Sequence, residues 1–109
     1  MQHKEPLELA RITRNSEWDR LRRQFLKLHD KCEFCGVRNR GVKTLVAHHV
    51  VPYWVDRTKE LDVENLFALC EEHHFTFGHF CNWKKFNPRI REDAELFRAR
   101  AKEAKTWKP

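Results

Sequence analysis

Apolar positions first fall into a helical rhythm after Ser16, where Trp18, Leu21, Phe25 and Leu28 recur every three or four residues. Arg20, Arg22, Arg23 and Lys27 lie mostly on other faces. The Ser16 hydroxyl can cap the first turn, and Asp19, three residues on, makes a variant of the capping box. This pattern predicts a helix over about 17–30, preceded by an arm (1–15) with no clear period. The rhythm then changes. Thr44 to Ala47 predict a short strand that delivers His48 and His49, and Pro52 ends regular pairing. Residues 53–64 read as a loop containing Tyr53 and Trp54. Leu66 to Leu69 form a second short apolar segment ending at Cys70, and Glu71 to about Phe80 begin another helix. Asn87-Pro88 breaks the chain, and a further helical pattern runs from about Arg91 to Lys105, with Leu96 and Phe97 as candidates for packing on the body.

These elements make an α+β chain of 109 residues, one domain with no room for a second core. The expected division is an arm (1–15), a helix (16–31), a core (32–80) and a basic helical extension (82–109). Only 40% of residues are hydrophobic and 35% are charged, so the core must be thin and a staple is expected. Four cysteines and seven histidines supply the means. No apolar run reaches transmembrane length, and Met1 to Leu9 carry no signal-peptide core. The expectation is a cytoplasmic protein without a membrane partner, in which thiols stay reduced and cysteines read as metal ligands before disulfides.

Cys32-x2-Cys35 and Cys70-x2-His73 have the spacing of two half-sites for tetrahedral zinc. Gly36 can supply the positive φ that the first knuckle needs. Because His73 and His74 are adjacent, either can complete the zinc site, with His73 preferred; Cys81 reads as a small buried residue or a reserve ligand. His3 and His29 read as ordinary surface or packed histidines.

Between the half-sites run Ala47-His48-His49-Val50-Val51-Pro52 and Asn65-Leu66-Phe67-Ala68-Leu69-Cys70, followed by His73-His74. Here the chain resembles the HNH endonuclease family, whose pattern is a knuckle, an Asp-His or His-His pair before x-x-Pro, an Asn-Leu step, and Cys-x2-Cys-His opening a helix. The resemblance covers about residues 32–79. It implies a zinc-stapled ββα-metal core with flanking helices, a structural Zn²⁺, and a catalytic divalent metal (Mg²⁺, Mn²⁺, Ni²⁺ or Zn²⁺). It also implies that His48 and His74 are ligands of that metal and that His49 is the general base. Asn65 would hold the loop and orient His49 through its backbone carbonyl. The chain departs from the common pattern in three places. His48 stands where many relatives have Asp, as in the His-His pair of colicin nucleases, and His73 replaces the usual fourth cysteine. Where a third ligand often lies there is Gly78, with His79 one residue further as a possible ligand, phosphate contact or surface residue.

Lys and Arg outnumber Asp and Glu by 22 to 16, a net charge of +6, which suggests a polyanionic partner. Residues 82–109 hold nine basic against four acidic residues. Arg38, Arg40 and Lys43 near the knuckle, and Lys84, Lys85, Arg89 and Arg91 after the helix, are candidates for neutralising phosphates, or else solvated charges. Trp54 and Trp83 can stack on bases or pack. The expected partner is nucleic acid, double-stranded DNA first, bound by a monomer or weak dimer with little sequence specificity. A zinc-stapled DNA- or RNA-binding module without turnover is the alternative.

Overall fold

Helix α1 spans Pro6–Leu28 and so begins well before the Ser16 cap that the sequence suggested. Proline suits a first helical turn, where its missing N–H costs nothing, and Leu7, Glu8, Leu9, Ala10 and Arg11 all favour helix. Ser16 therefore lies inside the helix, and Asp19 closes no capping box but pairs with Arg22 at 2.9 Å. The computed structural model describes residues 6–38 and 45–106 and, of their side chains, those of 17–38 and 45–105. The first five residues of the expected arm lie outside the described residues.

Strands β1 (Leu45–His49) and β2 (Leu66–Cys70) pair antiparallel, with Leu45 opposite Cys70 and His49 opposite Leu66. Every residue of β2 is buried, which explains its unbroken apolar run. Leu66 and Ala68 meet Phe25 of α1, with Trp18, Leu21 and Ala47 at the edge of that cluster. Phe67 and Leu69 face a second cluster with Cys32, Phe34, Ile90 and Ala94. The alternation of a strand thus places one helix on each side of a two-stranded sheet. Between the strands, 3₁₀ turns at Arg57–Lys59 and Val63–Asn65 give the expected loop its shape, each started by an aspartate (Asp56, Asp62) that accepts a backbone N–H.

Helix α2 (Glu71–His73) leaves β2 directly and widens into a π-helical turn, His74–Gly78. Helix α3 spans Ile90–Thr106. It buries Ile90 and Ala94 and rests Phe97 against Phe34 at 5.4 Å. Leu96, expected to pack, is exposed, because the buried stripe falls at Ile90, Ala94 and Phe97 and Leu96 lies off it. Arg98 donates to the Glu33 carbonyl and reaches its carboxylate at 3.3 Å, tying α3 to the knuckle. The result is a small α+β fold, a ββα unit between two long helices. No helix among the described residues is long and apolar enough to cross a membrane.

With so thin a core, Ile90→Ala is expected to cost about 2–5 kcal/mol in urea unfolding. Leu96→Ala, six positions along the same helix, is expected to stay within about 0.5 kcal/mol. Equal losses at the two positions would show that the stripe is misplaced.

Candidate metal centres

The knuckle is built by backbone bonds around Cys32. Its N–H donates to the Val37 carbonyl at 2.9 Å, its carbonyl accepts from Gly36 N–H at 2.9 Å, and Gly36 has φ +75°. Glu33 N–H donates to the Ala68 carbonyl at 2.9 Å, which holds the knuckle against β2. Cys70 closes that strand, so Cys32, Cys35, Cys70 and His73 converge with all four ligand atoms within 4.8 Å of one another. Cys35 Sγ lies 3.9 Å from Cys70 Sγ, and His73 Nδ1 lies 3.6 Å from Cys32 Sγ and 3.2 Å from Cys70 Sγ. Tetrahedral zinc with ordinary bond lengths needs S···S near ~3.8 Å and S···N near ~3.5 Å. The cluster could therefore hold a structural zinc. Burial, assisted by Cys32 and Cys35, pushes the Cys70 thiol up to about 12. Burial acts in the same sense on Cys32, but the N–H groups of Cys35, Cys70 and Phe34, with His73, bring it down to about 7. A divalent cation would relieve both the burial cost and the mutual repulsion of the thiolates.

The second cluster contains His48, His74 and His79, again with ligand atoms within 4.8 Å. His74 and His79 are five residues apart, which in an α-helix would turn them about 140° from each other. The π turn, bonded i to i+5, removes that offset and brings His79 Nε2 to 3.2 Å from His74 Nε2. Of the three roles open to His79, its placement fits the ligand. Its Nδ1–H donates to the Lys85 carbonyl at 2.6 Å, which leaves the lone pair on Nε2. His48 is 2% exposed, and its Nε2 is buried without a hydrogen-bond partner among the described residues. Gly78 makes the fit possible: a Cβ there would come within 3.2 Å of His48 Cε1. Burial, then the neighbouring His74, His79 and His49, holds His48 down to about 2; burial and His79 hold His74 to about 4. Neutral imidazoles with an orphaned buried nitrogen are a donor set for a transition metal.

His49 has a different setting. Its Nε2–H donates to the Glu60 carbonyl at 2.8 Å, so the lone pair is on Nδ1, and its ring stacks on Trp18 of α1 with centroids 4.4 Å apart. The Asn65 side chain accepts from Val51 N–H at 2.9 Å and donates to the Val51 and Lys59 carbonyls, each at 3.0 Å. Its backbone carbonyl accepts from the N–H of Val50, the residue after His49, at 2.8 Å. The Asn65 side chain also pins the loop whose next residue, Glu60, holds His49. His48, His49, His74 and His79 together line one open cleft of about 610 Å³, with Trp18 and Trp54 among its walls.

With this geometry in hand, comparison with protein families adds a match over residues 32–81 to the family described as HNH endonuclease. Residues 32–81 are thus similar to the HNH endonuclease domain. Comparison with curated proteins and with solved structures gave no match. The matched segment takes in both clusters and His49, whereas Trp18 and the whole basic extension lie outside it.

The flanking cations differ in their surroundings. Lys84, Lys85 and Arg89 are exposed in the loop after the π turn. Arg38 pairs with Asp30 at 3.5 Å. Arg91 donates to the Glu64 carbonyl and lies over the Phe67 ring, lining a groove distinct from the cleft of the HNH histidines. Arg40 and Lys43 lie outside the described residues, as does His3. His29 stacks on Phe25. Cys81, expected to be buried or a reserve ligand, is exposed and in neither cluster, because Phe80 and Cys81 both take positive φ (51° and 60°) and turn the chain outward. Four supports of the site were missed in the sequence: Trp18, the Glu60 and Lys85 carbonyls and Asn87. The buried Asn87 donates to the Phe77 carbonyl and to Asp93, and so joins the π turn to α3. The Asn-Pro pair that marked a chain break was its only signal.

Gly78→Ala is expected to weaken metal binding at the three-histidine cluster about 10- to 100-fold, while zinc content at the cysteine cluster stays unchanged. Titration calorimetry beside elemental analysis would separate the two sites. A pH effect follows as well. An unfolded histidine titrates near 6.5, so between about 6.5 and 4 the unfolded chain binds more protons than the folded one. With the three-histidine cluster empty, stability should therefore fall as pH drops through that window. Melting curves of His48→Gln should fall less steeply than those of the parent.

Proposed function

We propose that this protein is a metal-dependent endonuclease that hydrolyses phosphodiester bonds in DNA with low sequence specificity. The observation that carries the reading is the presence of His49 in the same cleft as His48, His74 and His79, whose ring nitrogens converge. When bound there, a divalent metal would neutralise charge developing on the scissile phosphate and the leaving 3′ oxygen. His48, His74 and His79 hold it. A donor set of imidazoles favours Ni²⁺, Zn²⁺ or Mn²⁺ over Mg²⁺.

His49 is the general base. Its Nε2–H is occupied by the Glu60 carbonyl, so Nδ1 is the atom that accepts a proton from the attacking water. Water oxygen bonds to phosphorus as one water proton passes to His49, the bond from phosphorus to the 3′ oxygen breaks, and the leaving 3′ oxygen takes a proton from solvent to become a hydroxyl. Asn65 and Trp18 hold the imidazole in place, one through the loop and the other by stacking. Lys84, Lys85 and Arg89 supply exposed positive charge for flanking phosphates. The cysteine cluster, filled by zinc, staples a core too thin to stand alone. One site per chain makes nicking the elementary event, so a double-strand break needs two encounters or two subunits. A cytoplasmic setting suits the reduced thiols.

Plasmid nicking tests this directly. The parent protein is expected to relax supercoiled DNA with Ni²⁺ or Mn²⁺ and not in EDTA, and His49→Ala to lose about two or more orders of magnitude. If parent and variant both bind DNA and neither nicks it with any metal, the enzyme reading fails and a zinc-stapled binding module takes its place.

A further inference from the structure

Three tryptophans have described side chains, and the protein uses them differently. Trp18 is half-buried and stacks on His49. Trp54 and Trp83 are 56% and 58% exposed, although the chain is poor in apolar side chains and has every reason to bury an indole. Both stand at the metal cleft. Trp54 is one of its walls, with Phe86 against it at 5.5 Å. Trp83 sits beside two of the three clustered histidines, 5.2 Å from His74 and 4.9 Å from His79 between ring centroids. Phe75, at 4.9 Å, braces it from within the π turn. The residues that deliver Trp83 pass through two left-handed positions, Phe80 and Cys81, a conformation unfavourable for side chains of their kind. Exposed cations flank each indole: Arg57 and Lys59 follow Trp54, and Lys84 and Lys85 follow Trp83.

We propose that Trp54 and Trp83 form a base-stacking subsite bordering the metal cleft, and that the preferred substrate is DNA with unpaired bases next to the scissile phosphate. A rigid indole beside lysines and arginines is chemistry suited to a single strand, since cations follow the phosphates and rings take the faces of the bases. Continuous duplex cannot use such rings, because its base faces are already stacked on one another. The complementarity of charge with a polyanion selects nucleic acid over an apolar protein surface as the occupant. This inference rests on the reading that the cleft takes nucleic acid, and it goes beyond that reading in naming the strand state.

Binding can be measured without turnover on the His49→Ala background, by fluorescence anisotropy with labelled oligothymidine and with a blunt-ended hairpin duplex closed by a non-nucleotide linker, so that it offers no unpaired bases. The parent background is expected to bind oligothymidine more tightly than the hairpin. Trp54→Ala and Trp83→Ala should each weaken oligothymidine binding about 5- to 150-fold, the equivalent of about 1–3 kcal/mol per stacked base. Hairpin binding should change less than twofold, and the salt dependence of both should stay as it was, because no phosphate contact is removed. Trp54→Phe and Trp83→Phe should recover most of the loss, and metal content must match the parent in every variant. Equal loss on both DNA forms, no loss on either, or binding to neither overturns the proposal. Because the readout is binding, failure of the nuclease reading stays distinct: tryptophan-dependent single-strand binding without cleavage would sink the enzyme and keep the subsite. Cleavage of duplex indifferent to both indoles would do the reverse.

Discussion

His73 and His74 are neighbours in sequence that serve different centres, and the architecture depends on keeping them apart. Successive side chains on a helix diverge by about 100°. Because α2 starts immediately after Cys70, that divergence is aimed: His73 turns back to the cysteines, while His74 turns to His48 and His79. A single strand-to-helix junction thus feeds both clusters. A loop between Cys70 and the helix would free the two histidines to exchange roles.

Burial then gives each cluster its chemical character. The cysteine cluster is enclosed by Phe34, Phe77 and Phe97, which stack or edge against one another and against His73. In the histidine cluster, taking His48 out of water leaves a polar nitrogen with no hydrogen-bond partner among the described residues, a cost that a bound ligand would offset. The same burial favours neutral His48 and His74, the form that donates to a metal. The widened turn and the bare Cα of Gly78 are the two backbone devices that admit this crowding. Asn87 locks the turn from behind by joining it to α3.

Around the HNH segment, the flanking helices have separate tasks. Helix α1 carries Trp18 to the face of His49, so a residue outside the segment of family likeness orients the group read as the base. Helix α3 closes the far side of β2 and bonds the knuckle through Arg98. Positive charge in the basic extension is therefore partly structural: Arg91 and Arg98 lie on the body, whereas Lys84, Lys85 and Arg89 remain exposed in the loop after the π turn.

Local spacing was enough for much of this. Cys-x2-Cys and Cys-x2-His encode chelation within a single turn, and the short apolar segments before His48 and Cys70 encode strands, so the α+β class and the cysteine cluster were legible in the residues alone, whereas the pairing of His48 with His74 came only from the resemblance to the HNH family. The start of α1 was not, because Ser16 is a good cap only if no helix already runs through it, and residues 7–11 propagate one. Nor could spacing assign His79. At five residues from His74 it faces away in an α-helix and inward only in a π turn, and that choice is made by the packing of Gly78 under His48 and by the Lys85 carbonyl. Trp18 against His49, Glu60 as the acceptor for His49, and the burial that neutralises His48 and His74 all join residues distant in sequence. The sequence determined which candidate ligands are available; only the tertiary structure decided which of them meet, because their meeting depends on how the helices and strands pack.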